Sequence, residues 1–160
     1  MATLVSDANI FIDLDVADLT RALFRLDDEI VTPDVLYQEE LAEHHSELPA
    51  LGLRVESLSP AGVEEMMRLR AMYSRPGTND LLALALALSN RWTLVTGDAD
   101  LRDVAQTELV VVHGTLWLVE RMVRERVIPV RRAEAGFKRM RSDGRRLPWP
   151  MVEELLERLR

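Results

Sequence analysis

The sequence predicts an α/β domain: a three-layer α/β/α sandwich around a central, mostly parallel sheet of four to five strands, followed by extra C-terminal helices. Three observations predict it. Short apolar segments alternate with stretches of helical spacing, the pattern of successive βαβ units. One such segment, Trp92 to Thr96, is a continuous apolar run, as expected of a strand buried on both faces. Acidic residues recur just past the strand-like segments, where open parallel sheets bind their ligands.

In chain order, Thr3-Leu4-Val5 reads as a first strand ending at Ser6-Asp7, and Ala8 to about Leu26 as a helix with Ile10, Leu14, Ala17, Leu23 and Leu26 near helical spacing. Glu29 to Thr32 reads as a second strand. Pro33, tolerated in a first turn, opens a helix from Asp34 to His45. Leu53 to Leu58 alternates like a strand, and Ser59-Pro60 starts the next helix. Arg75-Pro76-Gly77 breaks the chain, and Thr78-Asn79 offers an N-cap for a very apolar helix from Asp80 to Ser89. After the Trp92–Thr96 strand, Gly97-Asp98 turns into a short helix from Ala99 to Ala105. Leu109 to Val112 reads as the last strand, and Gly114-Thr115 caps a helix to about Arg126. Two helices remain beyond Ala133, divided by Ser142-Asp143-Gly144 and by Leu147-Pro148-Trp149-Pro150.

The 160 residues fit one domain, and 48% hydrophobic against 29% charged content is globular rather than disordered. Absent cysteine excludes disulfide frameworks, thiolate zinc sites and cysteine nucleophiles. No apolar run approaches the roughly 20 residues of a membrane span, and the N-terminus lacks a basic leader, so a soluble cytoplasmic protein without membrane partners is expected. The net charge of −7 is uneven. Residues 1–120 carry 8 Arg and no Lys against 21 Asp and Glu; residues 121–160 carry 12 Arg and Lys against 6 acids. An acidic body with a basic tail suits a polyanion held by one part and processed by another, and equally a solvated arginine-rich surface.

Asp7 follows the first strand. Asp98 follows the fourth, with Asp100 two residues on. Asp80 heads the helix that feeds the fourth strand, and Glu39 and Glu40 lie beyond the second. If these ends converge, several carboxylates share one small volume and repel. A hard divalent cation such as Mg²⁺ or Mn²⁺ relieves the repulsion and supports water attack on a phosphodiester. Singly, each acid has an ordinary use: Asp80 as a first-turn helix acid, Asp98 as a turn residue, the glutamates as a solvated face. Their recurrence at one topological place is what points to chemistry.

Four stretches, in order, resemble the PIN-domain nucleases, in particular toxin nucleases of the VapC type and their close relatives. Asp7-Ala8-Asn9-Ile10-Phe11-Ile12-Asp13 is similar to the family's D-x-N-x-x-I-D opening. Thr32 to Leu41 carries its glutamate. Asp80-Leu81-Leu82-Ala83-Leu84-Ala85 is similar to its D-x-x-I-A-x-x-A helix, and Thr96-Gly97-Asp98-Ala99-Asp100-Leu101 to its T-x-D-x-D-F, with Leu101 in place of Phe. The resemblance implies that Asp7, Glu39, Asp80 and Asp98 are catalytic, that Asp7, Asp80 and Asp98 bind metal with Asp100 as an outer partner, and that Asn9 and Thr96 orient them. Glu39 is preferred over Glu40. It also implies Mg²⁺- or Mn²⁺-dependent cleavage of single-stranded RNA, a homodimer and a small antitoxin partner, the protein being the toxin of a type II pair. Residues 1–130 would form the nuclease domain and 131–160 a basic helical extension packed on it, with Arg139, Arg141, Arg145 and Arg146 as candidate RNA contacts.

Two rival readings remain at this point. Ile12-Asp13-Leu14-Asp15-Val16 looks like the nucleophile motif of haloacid-dehalogenase-like phosphatases, with Asp13 as nucleophile and Asp15 as acid/base. Such enzymes use a lysine between their motifs, and the one lysine here, Lys138, lies beyond both. The other rival is a non-catalytic PIN-like binding module.

Overall fold

The structure, a computed structural model, describes residues 1–160. Strand β1 (Thr3–Ser6) leads into α1 (Ala8–Val16) and α2 (Thr20–Leu23). Strand β2 (Glu29–Pro33) is followed by α3 (Asp34–Leu36), a π-helical turn (Tyr37–Leu41) and α4 (Leu48–Leu51). Next come β3 (Arg54–Glu56), α5 (Pro60–Met72), α6 (Thr78–Asn90) and β4 (Thr93–Val95). The chain closes with α7 (Ala99–Thr107), β5 (Val112–His113), α8 (Thr115–Arg124), α9 (Val130–Ser142) and α10 (Trp149–Leu159).

The five strands form one sheet in the order β3-β2-β1-β4-β5, and every pairing is parallel. Val5 of β1 pairs with Val31 on one side and Leu94 on the other. Helices cover both faces, as parallel sheets require, giving the expected three layers. Strand connections run outward one way from β1 through β2 to β3, and the other way from β4 to β5. The switch in direction falls between β1 and β4, where a crevice opens beyond the carboxyl ends.

Helix α6 is the central packing element. Leu81, Ala83, Leu84, Ala85, Leu86 and Ala87 are all buried, which explains a sequence that is apolar on nearly every side. It packs on β1, β2 and β4 from one side and against α5 from the other. Helix α9 packs on α1, and its Gly136 admits the close approach of the turn that follows α1: a Cβ there would sit 3.0 Å from Leu19 and 3.2 Å from Ala17.

Several boundaries differ from the sequence expectation. The helix expected from Ala8 to Leu26 breaks at Asp18, which has φ 59° in the left-handed region. Leu19 and Leu23 can then turn inward on a separate short helix. The last strand shrinks to Val112–His113. Leu109 adopts φ 62° after α7 and is 91% exposed, so the run Leu109–Val112 is apolar without being a buried strand. The helix expected over Asp34–His45 is cut to α3 plus the π turn, held by the Ala42 N–H to Tyr37 C=O bond at 2.8 Å. Helix α6 starts at Thr78 with Gly77 as N-cap, so Thr78 and Asn79 do not cap it.

Candidate functional site

Two loops meet at the switch point. Asp7 follows β1, and its side chain caps α1: Oδ1 accepts the Ile10 N–H at 3.2 Å. Asp98 follows β4 and caps α7, Oδ1 accepting the Leu101 N–H at 2.9 Å. Each acid therefore uses one carboxylate oxygen to cap the helix that follows it. The loops are tied together by Thr96. Its buried hydroxyl donates to Asp7 Oδ2 and accepts the Asp98 N–H at 3.1 Å. The Asp7 N–H also reaches the Val95 carbonyl at 3.3 Å, so the two strand ends stay in register.

Asp80 enters from the first turn of α6. It accepts a hydrogen bond from the Gly77 N–H, the reach of a third helical residue back to its N-cap. The negative charges of Asp98 and Glu40 act on it. Glu40 is brought there from the π turn, and Asn79 Nδ2 donates to Glu40 Oε2 at 3.1 Å.

The electrostatics are one-sided. Asp7 is 1% exposed, and burial pushes its carboxyl up to about 7, with added repulsion from Asp80 and Asp13 and opposing hydrogen bonds from Thr96 and Ile10. Burial also raises Asp80, and Asp98 and Glu40 raise it further. None of Asp7, Glu40, Asp80 and Asp98 has a cationic side chain within ion-pair distance. A buried carboxylate without a cationic partner is strongly disfavoured in its charged form. These donors are all hard oxygens, the set that suits Mg²⁺ or Mn²⁺ and not softer metals. The residues fit a divalent cation. No three of them bring ligand oxygens within 4.8 Å of one another. The group that does close to that distance, Asp15, His45 and Glu47, is a surface cluster with two of its members exposed.

Not every expected residue reaches the crevice. Glu39 and Glu40 are both exposed, and Glu40 is the one that acts on Asp80 and accepts from Asn79. The physical reason is the π turn, which inserts one residue and shifts the side-chain register between Leu36 and Leu41, so α-helical spacing fails there. Asn9 is exposed and makes no side-chain hydrogen bond to an acid; Asn79 is the amide that holds one. Asp100 faces Arg75 at 3.8 Å and is absent from the charges acting on Asp7 and Asp80.

The C-terminal arginines also divide. Arg145 Nε donates to Asp13 Oδ1 at 2.7 Å, while the Thr115 hydroxyl donates to Asp13 Oδ2 at 2.8 Å. Arg145 thus places one N–H on a buried carboxylate, with its side chain one-quarter exposed. Arg139 lies 3.6 Å from Asp18, Arg141 sits over the Trp149 ring at 5.3 Å, and Arg146 lines a cavity beside Asp98. The Asp13 environment also overturns the phosphatase alternative. Asp13 and Asp15 lie within α1, one buried and saturated by partners and the other exposed, so they do not form a nucleophile and acid/base at a strand end. Arg145 as a site neighbour had no local signal, being 132 positions from Asp13.

A search of curated proteins finds no match to the chain. A protein-family model described as a PIN domain matches residues 3–160. With the all-parallel sheet and the acids at its switch point, this places the chain in the PIN-domain family, a family of metal-dependent nucleases.

Proposed function

We propose that the protein is an endoribonuclease that hydrolyses RNA phosphodiester bonds with Mg²⁺ or Mn²⁺. The observation that carries the reading is the set of convergent acids, Asp7, Glu40, Asp80 and Asp98, left without any cationic side chain at the switch point of a parallel sheet. These four residues would hold one or two ions. When bound, such an ion lowers the pKa of an attacking water and offsets charge on the phosphate.

The remaining contributions come from the chain itself. Thr96 fixes the Asp7 carboxylate and the Asp98 backbone in one network, so both acids keep their aim without rearrangement. Gly77 anchors Asp80 and Asn79 anchors Glu40. Arg145 pairs with Asp13, whose negative charge acts on Asp7, and so sets a positive charge against part of that repulsion.

RNA as substrate, a cytoplasmic setting, a homodimer and the role of toxin with an antitoxin partner rest on the resemblance to the VapC-type nucleases. No helix is long and apolar enough to cross a membrane. Within the same reading, residues 1–130 are the nuclease domain and 131–160 an extension that completes it through Arg145 and Arg146. The test is cleavage of a mixture of single-stranded RNAs with Mn²⁺ and with EDTA. Cleavage with Mn²⁺ that EDTA abolishes supports the reading; no cleavage with either Mn²⁺ or Mg²⁺ contradicts it.

A further inference from the structure

A cavity of about 460 Å³ adjoins the acids. Its wall includes Gly97 and Ala99, the residues on either side of Asp98, and Asp13, whose charge acts on Asp7. The volume falls in the range of small-molecule sites. Its lining is unlike that of the acidic crevice. Arg102 and Arg146 both face it, and neither has a carboxylate within ion-pair distance.

Arg102 is held in place. Its Nη2 donates to the Thr96 carbonyl at 3.3 Å, so the guanidinium is anchored on the same residue whose hydroxyl holds Asp7. It lies against Gly114, where a Cβ would come within 2.8 Å of that nitrogen. Glycine at this position leaves the guanidinium its room. Opposite stands an aromatic column. The His113 and Trp117 rings stack at 4.0 Å with 5° between planes, and Arg121 lies 5.0 Å from the Trp117 centroid. Burial and the charges of Arg102 and Arg121 hold His113 below its ordinary value, so its ring is neutral near pH 7. Leu147, Pro148 and Met151 from the C-terminal segment supply an apolar side.

Two unpaired guanidinium groups, a flat ring stack and an apolar wall match one nucleotide unit of a single strand: phosphate on the arginines, base against ring and aliphatic surface. We propose that this cavity is the subsite for the nucleotide next to the scissile phosphate, with Arg102 and Arg146 on its phosphate and the His113–Trp117 stack beside its base. The subsite rests on the nuclease reading above and gives the C-terminal segment a substrate-binding part in it. Because Arg102 and Arg146 come from elements 44 positions apart in sequence, the subsite forms only when the C-terminal segment is folded onto α7 and α8.

The test separates binding from cleavage. A fluorescein-labelled ten-nucleotide single-stranded RNA is titrated with full-length protein in EDTA, by anisotropy, over a series of KCl concentrations. Replacing both arginines (R102Q with R146Q) is expected to flatten the slope of log K against log salt by about 1.4, at about 0.7 per lost phosphate contact. H113A is expected to weaken binding about tenfold without changing that slope, as loss of one stacked base does. R131Q with K138Q removes the same charge from an exposed face of α9 and is expected to leave the slope unchanged. A slope that R102Q with R146Q leaves as in the wild type, or that both double variants flatten equally, overturns the subsite, as does wild-type protein that does not bind the RNA. Wild-type cleavage in Mn²⁺, measured in parallel, tests the nuclease reading by itself. Matching thermal melts for all variants confirm that each has folded.

Discussion

The Thr96 hydroxyl, on the loop after β4, donates a hydrogen bond to the Asp7 carboxylate, on the loop after β1, across 89 positions of sequence. Because Thr96 also accepts the Asp98 N–H, one side chain sets the spacing of two acids that the chain delivers from different βα units. The bond lowers the cost of keeping Asp7 charged while burial raises it, and burial wins.

Asp7→Asn is expected to abolish metal-dependent cleavage and to leave the fold intact, since asparagine can still accept the Ile10 N–H that caps α1. In EDTA at pH 8 the variant should be more stable than the wild type, because it removes a buried charge. The rise of Asp7 to about 7 sets roughly 4 kcal/mol as the upper bound on this gain. Chemical denaturation of both proteins in EDTA, beside a cleavage assay, checks the two halves together.

The same carboxyl gives the metal-free protein a pH dependence of definite sign. Its folded-state pKa lies above its unfolded value, so the native state binds the extra proton between them. Stability contributed by Asp7 is lost as pH rises from about 4 to about 7, and is flat outside that window. A bound cation favours the ionised form, so Mn²⁺ should stabilise more at pH 8 than at pH 6. Melting temperatures on a pH grid, with Mn²⁺ and with EDTA, show whether the metal increment grows with pH; an increment that shrinks contradicts the assignment of Asp7 as a ligand.

Glu40→Gln and Glu39→Gln are expected to behave differently. Glu40 acts on Asp80 and is held by Asn79, whereas Glu39, exposed like Glu40, does neither. The first substitution should lower cleavage at least tenfold and weaken Mn²⁺ binding; the second should leave both within about twofold. Equal loss in the two variants would mean that the π turn does not set the register described here.

Arg145→Gln leaves Asp13 largely buried and without its cation. Breaking a pair of this kind costs about 3–5 kcal/mol when fully buried, and Arg145 is one-quarter exposed, so a loss of about 2 kcal/mol is expected. In a double-mutant cycle with Asp13→Asn, the paired variant should recover part of that loss. Strict additivity of the two single effects would remove the pair as the tie between the C-terminal segment and α1.

Much of the fold was legible because its cause is local or periodic. The strand–helix alternation, the all-apolar α6 and the acids after β1 and β4 each leave a mark in short windows of sequence. The misplaced elements have different causes. Leu109 to Val112 is apolar enough for a strand, but a left-handed Leu109 and an edge position limit β5 to two residues. Glu39 and Glu40 are adjacent, and only a hydrogen bond spanning five residues decides which faces the crevice. The Arg145–Asp13 pair and the Arg102–Arg146 cavity join distant parts of the chain, so no window of sequence contains them.

The central claim is that Asp7, Asp80 and Asp98, with Glu40, grip a divalent cation at the end of the sheet. Isothermal titration of Mn²⁺ into the metal-free protein at pH 8, for the wild type and for Asp7→Asn and Asp98→Asn, tests it most directly. The account predicts saturable binding of at least one ion per chain in the wild type, and its loss or a weakening of at least tenfold in both variants. Absence of saturable binding in the wild type, or undiminished binding in both variants, would contradict it.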